Sequence, residues 1–268
     1  MLAPYAMLPP PWNSGMTPFA LHRSGEGLPL VLLHGFGGDH TAWLSIVSRL
    51  RGTPTLAYDL PGHGRSLDVP GGGRPSAMAK AVLADLGERG IERFHLAGHS
   101  MGGATATMVA LRAPERLASL TLVAPGGFGP EIAIDTLRAW ADATSDTALS
   151  RALKRMTAPG HITGAFEIAR IAAMRRRPGQ REMLREIVGG MADENGRQGA
   201  FDRAKLREAF VTVRTSLVWG EADPVLPFSQ GEGWGDALQL YAVPKAGHML
   251  MEERAAAVAK AIKDTITL

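Results

Sequence analysis

Cysteine is absent from the 268 residues. Disulfides, thiolate metal sites, iron–sulfur clusters and a cysteine nucleophile are therefore excluded. The absence fits a reducing compartment, and the expected location is the cytoplasm. Long apolar runs are also missing. No stretch of 18 apolar residues occurs, so no membrane-spanning helix and no membrane partner are expected. Charge of one sign is scarce too. Lys and Arg number 29 against 26 Asp and Glu, a net +3, which leaves no footprint for nucleic acid. HExxH, EF-hand and P-loop spacings are all lacking, so neither a metal nor a cofactor is expected. The start, MLAPYAMLPPPWNSGM, has no basic region and is broken by Pro9, Pro10 and Pro11. It reads as an extended arm over residues 1–17, not a signal peptide.

What is present is an alternation. Leu30–His34 is an apolar run that suits a strand buried on both faces. A helix is predicted over 41–50 and a strand over 53–59. Next come a helix over 75–89 with Pro75 in its first turn, a strand over 94–98, a helix over 101–112 and a strand over 117–124. Strand–helix alternation of this kind predicts an α/β fold with a mostly parallel sheet. The alternation stops at 128–212, which reads as helical throughout. It resumes with strands over 213–219 and 238–243 and a closing helix from about 250. The helical block holds 14 basic and 11 acidic residues, so it carries the whole excess of positive charge.

Gly98-His99-Ser100-Met101-Gly102 lies between a predicted strand and a predicted helix. That context lifts Ser100 clear of the sheet on a sharp turn, with glycines where a Cβ would clash. A serine hydroxyl needs a positioned base, and the base needs a carboxylate to orient it. Asp223 and His248 each follow a later strand, in the order acid then histidine, and are the candidates. Glu221 is the rival acid. His22, His40, His95 and His161 read as surface or packing residues. Acyl transfer also needs donors for an oxyanion. The loop His34-Gly35-Phe36-Gly37-Gly38 supplies the Phe36 amide, to be paired with that of Met101. His34 reads as a structural hydrogen-bonding residue under that loop. The turn Asp59–Ser66 (DLPGHGRS) lacks a P-loop ending and reads as structural, beside the rim of the site. Arg175, Arg176 and Arg177 read as a solvated helix end, with attraction of an anionic thioester as the sharper alternative. Met156, Met174, Met183 and Met191 suit either an adaptable apolar pocket or ordinary packing.

Taken together, HGFGG, DLPGHGRS, GHSMGG, WGEADPV and the late GH at 247–248 resemble the α/β-hydrolase superfamily, from about residue 18 to 268. The resemblance implies a core over 18–127 and 213–268, with a helical cap over 128–212 inserted after the sixth strand. It implies a serine nucleophile, unlike haloalkane dehalogenases and epoxide hydrolases, which use aspartate at the elbow. GIERFHLAGHSMGGATA, APERLASLTLVAPGGFGPEI and ENGRQGAF are similar to the hydrolase-like domain of acetyltransferase components of acetoin dehydrogenase complexes. No lipoyl-lysine segment accompanies them. C–C bond hydrolases of aromatic-ring degradation are also relatives, but commonly carry a GSGPG-type loop and a Trp after the catalytic histidine. HGFGG and Met249 stand here instead. The expected activity is cleavage of a small carboxylic ester, thioester or lactone through an acyl-enzyme, with a small-molecule acyl substrate as the partner. Other uses of the same residues are C–C hydrolysis, a lyase or haloperoxidase-like reaction, or a non-catalytic module. Monomer and dimer both remain open.

Overall fold

The computed structural model describes residues 18–267; the expected arm over 1–17 lies outside the described residues. Strand β1 (Ala20–Arg23) leads to β2 (Leu30–Leu33), α1 (Leu44–Val47) and β3 (Thr55–Tyr58). Then come α2 (Pro75–Glu88), β4 (Phe94–His99), α3 (Met101–Arg112) and β5 (Leu117–Val123). Five helices follow: α4 (Ile134–Asp142), α5 (Asp146–Lys154), α6 (Ala165–Arg175), α7 (Gln180–Gly189) and α8 (Arg203–Thr212). The chain closes with β6 (Thr215–Gly220), β7 (Gln239–Val243), α9 (Leu250–Glu253) and α10 (Ala255–Thr267).

The sheet has seven strands in the order β1-β3-β2-β4-β5-β6-β7. All neighbours are parallel except β1, which pairs antiparallel with β3. Every residue of β2, β3 and β6 is buried, because helices cover both faces of the sheet. The chain winds outward from β2 to β3, then returns to place β4 on the other side of β2. The C-terminal ends of β2 and β4 therefore flank the point where the strand order reverses, which is where open α/β sheets bind ligands. Leu33 is in register with Gly98, and His99 with Val123.

Strand β1 has no counterpart in the sequence reading. Its four half-buried residues, ALHR, lack an apolar pattern, and their strand character comes from pairing with β3. The helical insertion enters after the fifth strand of the described residues, not the sixth. The reason is that a single described strand, β1, precedes Leu30. The predicted helix over 41–50 is split between a 3-10 turn, His40–Trp43, whose start Asp39 caps by accepting from the Thr41 amide, and the short α1. Within the insertion, side-chain oxygens cap two helices. Ser145 accepts from the Ala148 amide, and Asp202 from those of Ala204 and Lys205. Leu137, Trp140, Leu149, Leu153 and Ile171 carry the insertion's apolar faces into the same core as the sheet.

Candidate active site

Ser100 joins β4 to α3 with φ 52° and ψ −115°. A non-glycine residue there stores about 1–3 kcal/mol of strain. The surroundings over-determine it. The Ser100 amide donates to the Val123 carbonyl at 2.9 Å, and the Ser100 carbonyl accepts from the Ala104 and Gly126 amides. A Cβ at Gly98 would lie 2.3 Å from the Gly102 carbonyl oxygen, and one at Gly102 2.3 Å from that of Leu33. Only glycine lets β2, β4 and α3 approach this closely.

The structure brings Ser100, His248 and Asp223 together. The Ser100 hydroxyl donates to His248 Nε2 at 3.0 Å, and His248 Nδ1 donates to Asp223 Oδ2 at 2.8 Å. The second bond puts the hydrogen on Nδ1 and leaves Nε2 as an acceptor facing the serine. Asp223 Oδ1 is taken by the amides of Val225 and Leu226, so the carboxylate is fixed from behind. The Asp223 side chain is fully buried and that of His248 is 3% exposed. Glu221 is exposed and takes no part.

The loop carrying His248 has its own supports, none of which was visible in the sequence. Its backbone amide donates to the Met156 carbonyl in the helical insertion at 2.8 Å. Its carbonyl accepts from His99 Nε2 at 2.9 Å. Burial, then the adjacent His248, lowers the His99 pKa to about 3, so this ring is neutral. The Glu253 carboxylate accepts from the amides of Gly247, Met249 and Ala158, at 2.9, 3.1 and 2.8 Å. Glu253 thus ties the histidine loop to the insertion.

The 34–38 loop lies at the end of β2 against Ser100. Gly38 donates back to the Gly35 carbonyl, and Trp140 Nε1 from α4 donates to the Phe36 carbonyl at 3.1 Å. Among the described residues the Phe36 and Met101 amides donate to no other group. His34 is buried under the loop, with Nδ1 donating to the Gly35 carbonyl and Nε2 accepting from the Leu60 amide. In the 59–66 turn, Asp59 accepts from His40 and from the Arg65 amide. Gln180 of α7 clasps that turn through Gly62 and Gly64. His40 and His95 are side-chain-bonded packing residues.

The basic triplet is not a solvated helix end throughout. Arg176 and Arg177 are exposed, but Arg175 turns inward and is buried. Its guanidinium stacks 4.6 Å from the centre of the Trp140 ring, and none of its nitrogens has a hydrogen-bond partner. Burial lowers its pKa to about 9.

Two cavities meet at Ser100, Phe36 and Leu137. The smaller, with about 40 Å³ of free space, runs past His99, His248, Trp140 and Met156 to Arg170 and Glu252. The larger, with about 220 Å³, is walled by Met101, Ile132, Met191, Phe201 and Leu226. Of the four methionines, Met156 and Met191 face these cavities; Met183 lines a separate groove. Among the described residues no three His, Asp or Glu side chains cluster to hold a metal ion.

Residues 30–261 match the alpha/beta hydrolase family. The chain belongs to that family. It is 35% identical over 236 residues to the dihydrolipoyllysine-residue acetyltransferase component of the acetoin cleaving system of Pseudomonas putida. That match takes in 86% of this chain and 61% of the relative, so the chain spans about three fifths of the relative's length. It is 28% identical over 260 residues to the 2-hydroxy-6-oxo-6-phenylhexa-2,4-dienoate hydrolase of Comamonas testosteroni, with 90% of this chain and 88% of the relative covered. The meta-cleavage product hydrolase of Pseudomonas fluorescens IP01 shares the fold, with a TM-score of 0.77 at 20% identity over 92% of this chain and 94% of that one. The alpha/beta hydrolase is thus similar to proteins named for different reactions.

Proposed function

We propose that this alpha/beta hydrolase is a serine hydrolase that cleaves a small carboxylic ester, thioester or lactone through an acyl-enzyme. The observation that carries the reading is the chain of hydrogen bonds from Ser100 through His248 to Asp223, at 3.0 and 2.8 Å. As the Ser100 oxygen attacks the acyl carbon, His248 Nε2 takes its proton. Asp223 holds the Nδ1 hydrogen in place and stabilises the imidazolium. The Phe36 and Met101 amides receive the oxyanion, each worth roughly 2.7–4 kcal/mol in the transition state. His248 then returns the proton to the leaving atom. The leaving group therefore occupies the smaller cavity, which His248 lines, and the acyl part the larger one. Water deacylates the serine by the same route.

Residues 128–212 are the proposed cap. Trp140, Met156 and Ile171 from this block wall the smaller cavity over Ser100, which supports the assignment. Acetyl transfer is not carried over from the longer relative, of which this chain spans about three fifths. The test is hydrolysis of p-nitrophenyl acetate by the native chain and by Ser100→Ala. Turnover lost in the variant supports the reading, and an active variant overturns it. Similarity to the Comamonas dienoate hydrolase over 90% of the chain favours a second reading, hydrolysis of a C–C bond. Faster turnover of a vinylogous diketone than of any ester would establish it.

A further inference from the structure

The smaller cavity beside Ser100 ends on an excess of acid. Arg170 of α6 is committed to its neighbours. Its Nε donates to Glu167 Oε2 at 3.0 Å, its Nη2 to Glu167 Oε1, and its Nη1 to Asp39 Oδ1 at 3.1 Å and to the Thr41 hydroxyl. Glu252 of α9 lies close enough to Glu167 for that carboxylate to raise its pKa, after burial. Two carboxylates this close disfavour ionising together, so the pair tends to keep one proton. Glu252 Oε2 is closed to solvent and has no hydrogen-bond partner. It lines the same cavity as Ser100, His99 and His248. Three carboxyl groups (Asp39, Glu167, Glu252) thus face one guanidinium, and an acceptor oxygen is left over. The other wall residues, among them Trp140, Ile171 and Met251, are apolar.

We infer that Glu252 recognises a protonated amine carried on the leaving group, so that the preferred substrates are esters or thioesters of small amino alcohols or amino thiols. This rests on the hydrolase reading, which puts the leaving group on the His248 side. An ammonium donates to Glu252 Oε2 and supplies the cation that the carboxyl groups lack, while its alkyl arms meet the apolar wall. A neutral hydroxyl can donate to Oε2 as well but brings no countercharge, so the pair keeps its proton. With one proton on the Glu167–Glu252 pair the four groups carry −1. An ammonium replaces that proton at unchanged net charge, and the proton leaves to solvent. Burial and then the neighbouring Glu167 raise the Glu252 pKa to about 8, consistent with a proton held there near neutrality. The charged or titratable groups facing Glu252 are Glu167 and Arg170 on α6 and Glu253 on its own helix. Asp39 reaches it through Arg170, and His99 and His248 share the cavity wall.

Two acetate esters test this, because they differ only by nitrogen in place of a CH group. Dimethylaminoethyl acetate carries the cation and isopentyl acetate does not. At neutral pH the native enzyme is expected to favour the amine ester by about tenfold or more in kcat/KM. Glu252→Gln should bring that ratio to within about twofold of unity. A ratio near one in the native enzyme, or an unchanged preference in Glu252→Gln, overturns the proposal. If no ester is turned over, the hydrolase reading fails by itself, and calorimetry on Ser100→Ala reads the subsite without turnover. Dimethylaminoethanol should bind with proton release to buffer and isopentanol should not. Equal binding of the two, without proton release, overturns the proposal there.

Discussion

Ser100 sits in a backbone conformation that costs free energy, and its neighbours repay it with position. Ser100→Ala, His248→Ala and Asp223→Asn should each lower kcat/KM on p-nitrophenyl acetate by about 10³-fold or more, and pairs of them should lose far less than the product. Retained far-UV circular dichroism would show that the loss is chemical. A second prediction concerns acid. His63 and His99 are buried and held at pKa values of about 3, in each case mainly by burial. An unfolded chain takes up these protons near 6.5, whereas the fold resists them down to about 3. Stability is therefore full above about pH 6.5 and lost as pH falls, at up to about 1.4 kcal/mol per pH unit for each histidine. Urea midpoints at pH 7 and pH 5 check this, and a flat profile would refute it. At this scale the sequence was most legible. Ser100, Asp223 and His248 follow from motif and order, because each must stand just past a strand end. Glu253 and His99 did not follow, since what they do depends on which backbone amides and carbonyls the fold delivers to them.

Helices α4 and α6 show how an element acquires a role that its composition hides. Arg175 ends α6 in a run of three arginines, yet it alone is buried, over the Trp140 ring of α4 and with no hydrogen-bond partner. An unpaired buried cation is costly, and an apolar side chain of similar length removes that cost. Arg175→Met should therefore raise stability by about 1 kcal/mol or more, while Arg176→Met and Arg177→Met stay within about 0.5 kcal/mol. Thermal melts of the three variants separate them. Trp140 has a second task, since its Nε1 holds the Phe36 carbonyl. Trp140→Phe keeps the ring and loses that bond. We expect kcat to fall by about tenfold with the protein folded, as the loop carrying the proposed oxyanion donor loosens. Unchanged kcat would mean that the 34–38 loop holds itself. Sequence periodicity located α3 to the residue and α2 to within one, but read 128–212 as one helical block without separating α4 from α6. It missed β1, whose four residues become a strand through pairing with β3.

At the scale of the molecule, a mostly parallel sheet carries Ser100, Asp223 and His248, and the proposed reading has the helical block over 128–212 close over an acyl-transfer site. Substrate choice should then follow the block. Grafting residues 128–212 from a hydrolase of different preference should transfer that protein's acyl-length profile. An apolar pocket discriminates a methylene by only roughly 1–3 kcal/mol, so the profile should be graded rather than absolute. A folded, active chimaera with the parent's profile would refute this. The sequence by itself determined the α/β class, the presence of a helical block between two strands of the sheet and the order serine, acid, histidine. These are local or topological properties, carried by apolar period, by glycines at crowded turns and by the rule that functional groups follow strand ends. Only the tertiary structure decided which way Arg175 turns, which carboxylate braces the His248 loop and that Glu252 ends the cavity beside Ser100 with an unpaired oxygen. Each of those depends on which side chain, amide or carbonyl a distant segment brings within about 3 Å, the reach of a hydrogen bond, and no spacing along the chain encodes that.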